Sequence, residues 1–381
     1  MRFLFFCAQY LPTVGGVERY TYNLCRTLSD LGHSSTIITS ELKGLDTKEE
    51  NDGITIYRLP CHMLLNSRFP LLKKNRVFYA MIREVFESEY DIAVVNTRFY
   101  PLSLFGVKEC KRRNIFVIVI EHGSAHLSLG NRFVNTFIKL YEHIVVRMVQ
   151  RYCSYFYGVS LSCNEWLRHF GITASGVIYN AVDMAKIEED VANSDYDIRK
   201  HLGLKVKIIA VFSGRFLKEK GIYELLEAFR AFNEEDNSVV LVMAGSGPLY
   251  EDVKRVKTDN VYLTGQLQYI DSLALLNQSD IFVLPTYSEG FSTVTLEAAA
   301  LGKCIISTYT GGNAELISDM ISGILLRQIT ANSIYETIRY VLEHDEFRRV
   351  SGEKVKQSVE KGFSWSSSAK KLLEIAKEIG N

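Results

Sequence analysis

Short apolar runs alternate with stretches of helical spacing along the whole chain, and the alternation restarts midway. In the first half Phe3–Cys7, Ser35–Thr39, Ile54–Arg58, Ile92–Asn96 and Phe116–Ile120 read as strands, with helices over Gly16–Leu31 and Arg76–Glu89. In the second half strands over Lys207–Phe212, Ser238–Ala244, Val261–Leu263, Ile281–Leu284 and Cys304–Ser307 alternate with helices over Gly221–Asn233, Tyr250–Lys257, Ile270–Gln278 and the segment holding Glu297. Parallel strands need a crossover between them, so this rhythm selects βαβ units and a doubly wound sheet. A chain of 381 residues exceeds one ordinary core. The expected fold is α/β, with two Rossmann-like, doubly wound parallel-sheet domains facing a central cleft at the carboxyl ends of their strands. The polar stretch Glu188–Lys200 is the expected boundary, giving domains over residues 1–187 and 188–362. A helix over residues 363–381, with Trp365, Ala369, Leu372, Leu373, Ala376 and Ile379 at helical spacing, is expected to pack back on the first domain.

Composition narrows the function classes. Hydrophobic content of 47%, with 25 Gly and 6 Pro, describes a packed globular chain rather than a fibrous or disordered one. Residues 1–185 hold 21 Lys+Arg against 16 Asp+Glu, leaving 23 against 28 of the chain's 44 and 44. That imbalance is too weak for a nucleic-acid partner. Seven cysteines without a C-x-x-C pair read as reduced core thiols of a cytosolic protein. The apolar start MRFLFFCAQYLP is too short for a secretion signal and reads as a strand. No apolar run of ~18 residues is present to span a bilayer, so the expected location is the cytoplasm.

Ile281–Glu315 carries the strongest chemical signal: a buried strand, a sharp loop with Pro285 and Gly290, a helix from Ser292 to Leu301, a second strand and a Gly-Gly loop. Backbone N–H groups and the positive end of that helix suit a phosphate. Glu289 and Glu297, at E-x7-E spacing, would repel one, so sugar hydroxyls are their expected partners. Diphosphate plus sugar is a nucleotide-sugar. Ser213–Gly221 (SGRFLKEKG) ends a strand and opens a helix, with Arg215 and Lys220 bracketing it. It reads either as two cations for linked phosphates or as a solvated charged turn. Gly15-Gly16 before the first helix is an anion-friendly turn or a purely structural one, and its incomplete G-x-G-x-x-G spacing disfavours NAD. Ala244–Pro248 (AGSGP) reads as a turn before a helix, with phosphate or base contact as the other reading. His122, within Glu121-His122-Gly123, follows the fifth strand at the cleft edge. Its i, i+4 partner His126 lacks a third ligand, so no metal site is expected there. Asp195-Tyr196-Asp197 reads as solvated linker rather than a metal-binding D-x-D. G-x-S-x-G, a Walker pattern and a Ser-His-Asp or Cys-His constellation are absent from the sequence.

In order, GGVERYTYNLCRTLSDLGH (Gly15–His33), EHG (Glu121–Gly123), VIYNAVD (Val177–Asp183), SGRFLKEKGIYELLEAF (Ser213–Phe229), MAGSGP (Met243–Pro248), GQL (Gly265–Leu267) and PTYSEGFSTVTLEAAALGKCIISTYTGGNAELI (Pro285–Ile317) line up. Together they resemble the retaining glycosyltransferases of family four, the group 1 glycosyl transferases with the two-domain GT-B fold. The resemblance implies an acceptor-binding first domain and a second domain that binds a nucleotide-sugar, a UDP-sugar in preference to a GDP-sugar, with no cofactor. It implies that Gly15 and Gly16 contact the donor diphosphate, that Arg215 and Lys220 neutralise it as it leaves, and that Glu289 binds hydroxyls of the sugar. The N–H groups of Phe291 and Ser292 would meet the phosphates, Glu297 the ribose, and His122 the transferred sugar; Gly214 and Gly290 complete the donor-binding set. Three positions depart from the common pattern: Ser292 for a frequent Gly, Ala181 for the Gly of Asn-Gly-Val-Asp, and Gly123 where Asp sometimes stands. Breaking the anomeric C–O bond puts negative charge on the departing diphosphate, where fixed donors and cations lower the barrier. Retention without an obligatory metal is implied, the leaving phosphate helping to deprotonate the acceptor on the same face. The sequence offers no well-placed carboxylate pair for a double displacement.

Arg68–Arg83 carries five cations and no acid, and Arg132–Tyr157 sets Arg132, Lys139, Arg147 and Arg151 among Phe133, Phe137, Tyr141, Phe156 and Tyr157. Basic-aromatic helices suit the cytoplasmic face of an anionic membrane, or else pack on their own sheet. The resemblance extends to cell-surface polysaccharide and glycolipid transferases. The expected reaction is therefore transfer of a hexose-type sugar to a glycan or lipid-linked acceptor, with peripheral membrane contact. A nucleotide-sugar epimerase of the same fold, acting without acceptor, and a non-catalytic nucleotide-sugar-binding subunit are the competing functions. Intact Arg215, Lys220, Glu289 and Glu297 argue against the last.

Overall fold

The computed structural model describes residues 1–13, 15–42, 44–64, 69–127, 132–203, 208–235 and 238–380, with backbone alone at 132–133 and 379–380. The chain divides into two compact units, Met1–Asn180 with Trp365–Asn381, and Ala181–Ser364.

The first unit opens with β1 (Arg2–Phe6), α1 (Gly16–Asp30), β2 (Ser34–Ser40), β3 (Lys48–Asn51) and β4 (Ile54–Leu59). A hairpin of β5 (Cys61–Leu64) and β6 (Phe69–Leu72) leads to α2 (Arg76–Val85), β7 (Ile92–Asn96), α3 (Pro101–Arg112) and β8 (Val117–Glu121). Then come α4 (Arg132–Gln150), β9 (Phe156–Gly158), α5 (Leu161–Arg168) and β10 (Gly176–Val177). The sheet order is β10-β9-β8-β7-β1-β2-β4-β3, parallel except for β3, which runs antiparallel to β4. Strands covered on both faces carry apolar runs without alternation, as in IAVVN of β7, every residue of which is buried. Phe6, Val95 and Val119 meet Phe78 and Ile82 of α2 and Val146 of α4 in the core.

The second unit runs α6 (Met184–Ala192), α7 (Ile198–Leu202), β11 (Ile208–Ser213), α8 (Ile222–Glu235), β12 (Val239–Ala244), α9 (Tyr250–Val256), β13 (Val261–Gly265) and α10 (Tyr269–Gln278). It continues with β14 (Ile281–Val283), α11 (Thr293–Ala300), β15 (Cys304–Thr308), α12 (Asn313–Leu316), β16 (Ile324–Leu326), α13 (Ala331–Glu343) and α14 (Asp345–Gly362). Its sheet is wholly parallel, in the order β13-β12-β11-β14-β15-β16. Both sheets grow outward in opposite directions from their first strand. The winding reverses between β1 and β7 in one and between β11 and β14 in the other. Loops leaving the carboxyl ends at such a reversal diverge and leave a ligand crevice. The last helix, α15 (Trp365–Gly380), belongs to the first unit: Trp365 stands edge-on to Tyr20 at 5.4 Å, and the Ser368 hydroxyl donates to Tyr179 O at 2.8 Å.

Three expectations change. Glu188–Lys200 lies within the second unit, as the end of α6 and most of α7, and the division falls at Asn180 and Ala181. Its polarity marks the solvent sides of two helices held by buried Ile187 and Ile198. Asp197, read as linker, caps α7 by accepting from Lys200 N–H at 3.0 Å. The basic stretch Arg68–Arg83 is not one helix. Arg68 is outside the described residues, and the rest divides between β6 and α2, which buries Phe78, Met81, Ile82 and Val85 in the core. Phe156 and Tyr157 are core residues of β9; the side chains of Arg132 and Phe133 lie outside the described residues. On α4, Val134, Phe137, Leu140 and Ile144 form a stripe 39–73% exposed, beside exposed Lys139 and Arg147. No helix among the described residues is long and apolar enough to cross a membrane.

Candidate functional site

In the first unit β1, β7 and β8 end side by side at the reversal. Asn96, the last residue of β7, donates from Nδ2 to Thr21 Oγ1 at 3.0 Å, and the Thr21 hydroxyl donates onward to Val17 O at 2.8 Å. That chain orients the amide, so Asn96 Oδ1 faces His122 Nε2 at 2.8 Å. An amide oxygen only accepts, so His122 carries its proton on Nε2 and its lone pair on Nδ1. The ring of Tyr20 stands edge-on to the imidazole at 4.7 Å. Burial lowers the His122 pKa to about 3, so the ring is neutral at physiological pH.

Thr97 adopts φ 67°, a left-handed conformation strained for a β-branched residue. Its N–H donates to Ile120 O at 2.8 Å and its carbonyl accepts from the Ser103 hydroxyl at 2.6 Å, which holds the strained turn. On one side of it Asn96 reaches His122; on the other Arg98 is fully buried. The Arg98 guanidinium meets Glu121 at 2.6 Å and Glu142 at 2.8 Å and lies over the Phe170 ring at 4.3 Å. Glu121 Oε1 accepts from Gly123 N–H and Glu142 Oε1 from Leu127 N–H, each at 2.9 Å. The buried ion triad therefore holds the loop that carries His122 at Gly123 and at Leu127.

The two glycines at the start of α1 differ. Gly15 is the cap residue, and a Cβ there would lie 2.2 Å from Glu18 Oε2, because the Glu18 carboxylate folds back over the helix start. Burial raises the Glu18 pKa. Gly15 thus accommodates an internal acid, whereas a Cβ on Gly16 meets open space.

In the second unit β11 and β14 are neighbours at the reversal, so residues 214–221 and 284–292 leave the sheet side by side. Tyr287 N–H donates to Glu219 O at 2.8 Å, with Thr286 Oγ1 at 3.1 Å from the same oxygen. Gly221, at φ 64°, brings the loops together: a Cβ there would sit 2.0 Å from Pro285 O. Lys220, in the single 3-10 turn before it, forms an ion pair with Glu289, their side chains 15% and 23% exposed. Gly214 donates its N–H to Ala244 O at 3.0 Å, and Arg215 follows it with an exposed side chain. Gly290 O accepts from Gly312 N–H at 3.0 Å, and the Phe291 ring packs edge-on to Phe363 at 5.2 Å. Ser292, the departure from a common Gly, is the N-cap of α11: its hydroxyl oxygen accepts from Thr295 N–H at 3.2 Å. Glu297, farther along α11, is 5% exposed. Lys220, Glu289 and the start of α11 thus share one sheet edge. Sequence reading missed the Thr21–Asn96 relay and the Arg98–Glu121–Glu142 triad. Asn96-Thr97-Arg98, polar residues ending an apolar strand, were their one sequence cue.

The family model described as glycosyl transferases group 1 matches residues 194–358, and that of glycosyltransferase family 4 matches residues 14–186. Over its whole length the chain is 25% identical to an uncharacterized glycosyltransferase of Methanocaldococcus jannaschii, covering 99% of it. It is 23% identical to the GPI3 subunit of phosphatidylinositol N-acetylglucosaminyltransferase of Saccharomyces cerevisiae, over 98% of this chain and 82% of that one. Among solved structures, Anabaena HepE in complex with UDP-glucose superposes with a TM-score of 0.77 at 17% identity, over 99% of this chain and 100% of that one. At that identity the likeness establishes the fold, GT-B.

Proposed function

The chain belongs to the family-four, group 1 glycosyltransferases, and from that premise we propose that it moves a hexose-type sugar from a UDP-sugar to a glycan or lipid-linked acceptor. Anomeric configuration is retained and no metal is obligatory. The observation that carries the donor half is the apposition of Lys220, Glu289 and the N-terminus of α11 at the reversal of the second sheet. Without donor, Lys220 and Glu289 neutralise each other. An arriving diphosphate takes the lysine, with Arg215 beside it on the same loop and the N–H groups of Phe291 and Ser292 adding donors, while Glu289 turns to sugar hydroxyls. Gly214 and Gly290 keep the backbone close, Glu297 holds the ribose, and Gly16 admits the diphosphate; Gly15 does so only if Glu18 moves. His122, neutral with Nδ1 proton-free, accepts a hydrogen bond from the transferred sugar. UDP is preferred over GDP by the likeness to a UDP-glucose-binding fold, and a lipid-linked acceptor by the likeness to a phosphatidylinositol-glycosylating subunit. The basic, apolar stripe of α4 suits peripheral contact with an anionic cytoplasmic leaflet.

Nucleotide release from UDP-, GDP- and ADP-sugars, with and without membrane extract and without added magnesium or manganese, tests the reading. The expected result is acceptor-dependent UDP release, with retention in the product's anomeric NMR signals. Epimerised donor without acceptor, or no turnover of any donor, sinks it. Vesicle co-sedimentation tests the membrane arm: binding to anionic vesicles should weaken on charge reversal at Lys139 and Arg147 of α4.

A further inference from the structure

We propose that His126, His143 and His169 of the first unit form a binding site for a divalent transition-metal ion of the zinc class, which braces the loop carrying His122. The i, i+4 pairing of His122 with His126 finds no third ligand because the fold separates the two: His122 turns to Asn96, and His126 turns to imidazoles from two other elements. His126 lies in the loop after β8, His143 on α4, and His169 at the end of α5. One ring nitrogen from each lies within 4.8 Å of the others.

One of the three separations already matches an ion's, with His143 within 4.8 Å of both partners. His126 Nε2 and His169 Nε2 are 3.2 Å apart; two nitrogens bound tetrahedrally at 2.0–2.1 Å from zinc lie about 3.3 Å apart. The tautomer fits as well. Glu142 Oε2 accepts from His126 Nδ1 at 2.9 Å, leaving the Nε2 lone pair for the metal. This carboxylate–histidine arrangement is the one that orients metal-bound imidazoles and raises their basicity. Glu142 is itself fixed, by Arg98 at 2.8 Å and by Leu127 N–H at 2.9 Å. On the other side the His169 ring stacks on Trp166, 4.9 Å away and 6° from parallel. Three neutral imidazoles select zinc, cobalt(II), nickel or copper over the harder magnesium and calcium. Of the three, His169 is exposed at the surface. His126 stands four residues beyond His122 in the same loop, so the ion would tie that loop to α4 and α5.

Untagged full-length protein, stripped with chelator and titrated with zinc chloride in a calorimeter, is expected to bind one ion per chain. Cobalt chloride should give the visible bands of tetrahedral cobalt(II). His143→Gln and His169→Gln, the latter at an exposed residue, should each weaken zinc at least ~10-fold. They should also abolish the rise in Tm that zinc gives the parent. His62→Gln, an exposed histidine on β5, should change neither. Absence of zinc binding overturns the proposal, leaving the His126–His169 contact as a hydrogen bond. Unchanged affinity in both glutamine variants overturns it too.

Discussion

The two sheets share a winding order yet hold their reversal loops by opposite means. In the first unit the loop after β8 hangs on a buried polar network: Arg98 between Glu121 and Glu142, and Thr21 through Asn96 to His122. In the second, glycine lets backbone press on backbone at Gly221 and Pro285, and the charges meet nearer the surface, in Lys220 and Glu289. A fully buried network is costly to break and has one arrangement. A partly exposed pair can exchange a partner for a ligand. The same topology thus makes one loop set that positions and another that yields.

The sharpest way to break this contrast is Arg98→Met. It strands Glu121 and Glu142 in the interior without a counter-charge, and breaking a buried pair in this way costs ~3–5 kcal/mol. Urea unfolding followed by circular dichroism measures it. A loss under ~1 kcal/mol, the range of exposed pairs, would make the two regions alike.

Lys220→Ala is the counterpart, with the readouts reversed. If the lysine meets the leaving diphosphate, its removal costs ~3–4 kcal/mol in the transition state, seen as loss of nearly all nucleotide release. Stability should shift by under ~1 kcal/mol, since the pair is partly solvated. Near-normal turnover in both Lys220→Ala and Glu289→Ala would end the donor assignment.

The pH dependence of stability sharpens the comparison further. His122 titrates at about 3 in the folded chain against an ordinary 6.5, because burial disfavours the imidazolium. Between those values the unfolded chain binds more protons, so stability rises with pH across the window. The contribution is complete above 6.5 and is lost as pH falls toward 3. Near pH 4.5 the wild type should have lost about 2 kcal/mol that His122→Gln keeps, after allowing for the ring edge still in solvent. Parallel pH profiles for the two proteins would show that the imidazole is not held neutral.

What the sequence made legible follows from how local each cause is. Strands buried on both faces are apolar runs, so β1, β7, β8, β11 and β12 are visible one at a time. By contrast β3, β5, β6, β9, β10 and β16, of two to four residues, are too short to show a period, and KEEN of β3 is a charged edge. The segment around Glu289 was readable because strand, tight loop and Ser292 cap follow one another directly. The pairing of Lys220 with Glu289, 69 residues apart, depends on β11 and β14 being neighbours. Arg98 and Glu142, 44 apart, meet only because α4 crosses back over the sheet. Glu18 over Gly15 was local but hidden, since the Gly-Gly turn looked the same with or without an acid in it.

The smallest effect is the most diagnostic for how the first unit positions its imidazole. Asn96→Ala removes one acceptor from His122 and one donor to Thr21, so stability should fall by only ~1 kcal/mol. The larger consequence is in the tautomer: without Oδ1 to receive it, the proton is no longer held on Nε2. Nitrogen NMR of the ring should show a predominantly Nε2-protonated form in the wild type and a mixed one in the variant. An unchanged ring spectrum would mean that Tyr20 and the surrounding packing orient His122 unaided, and that the polar relay from Val17 serves the strand end alone.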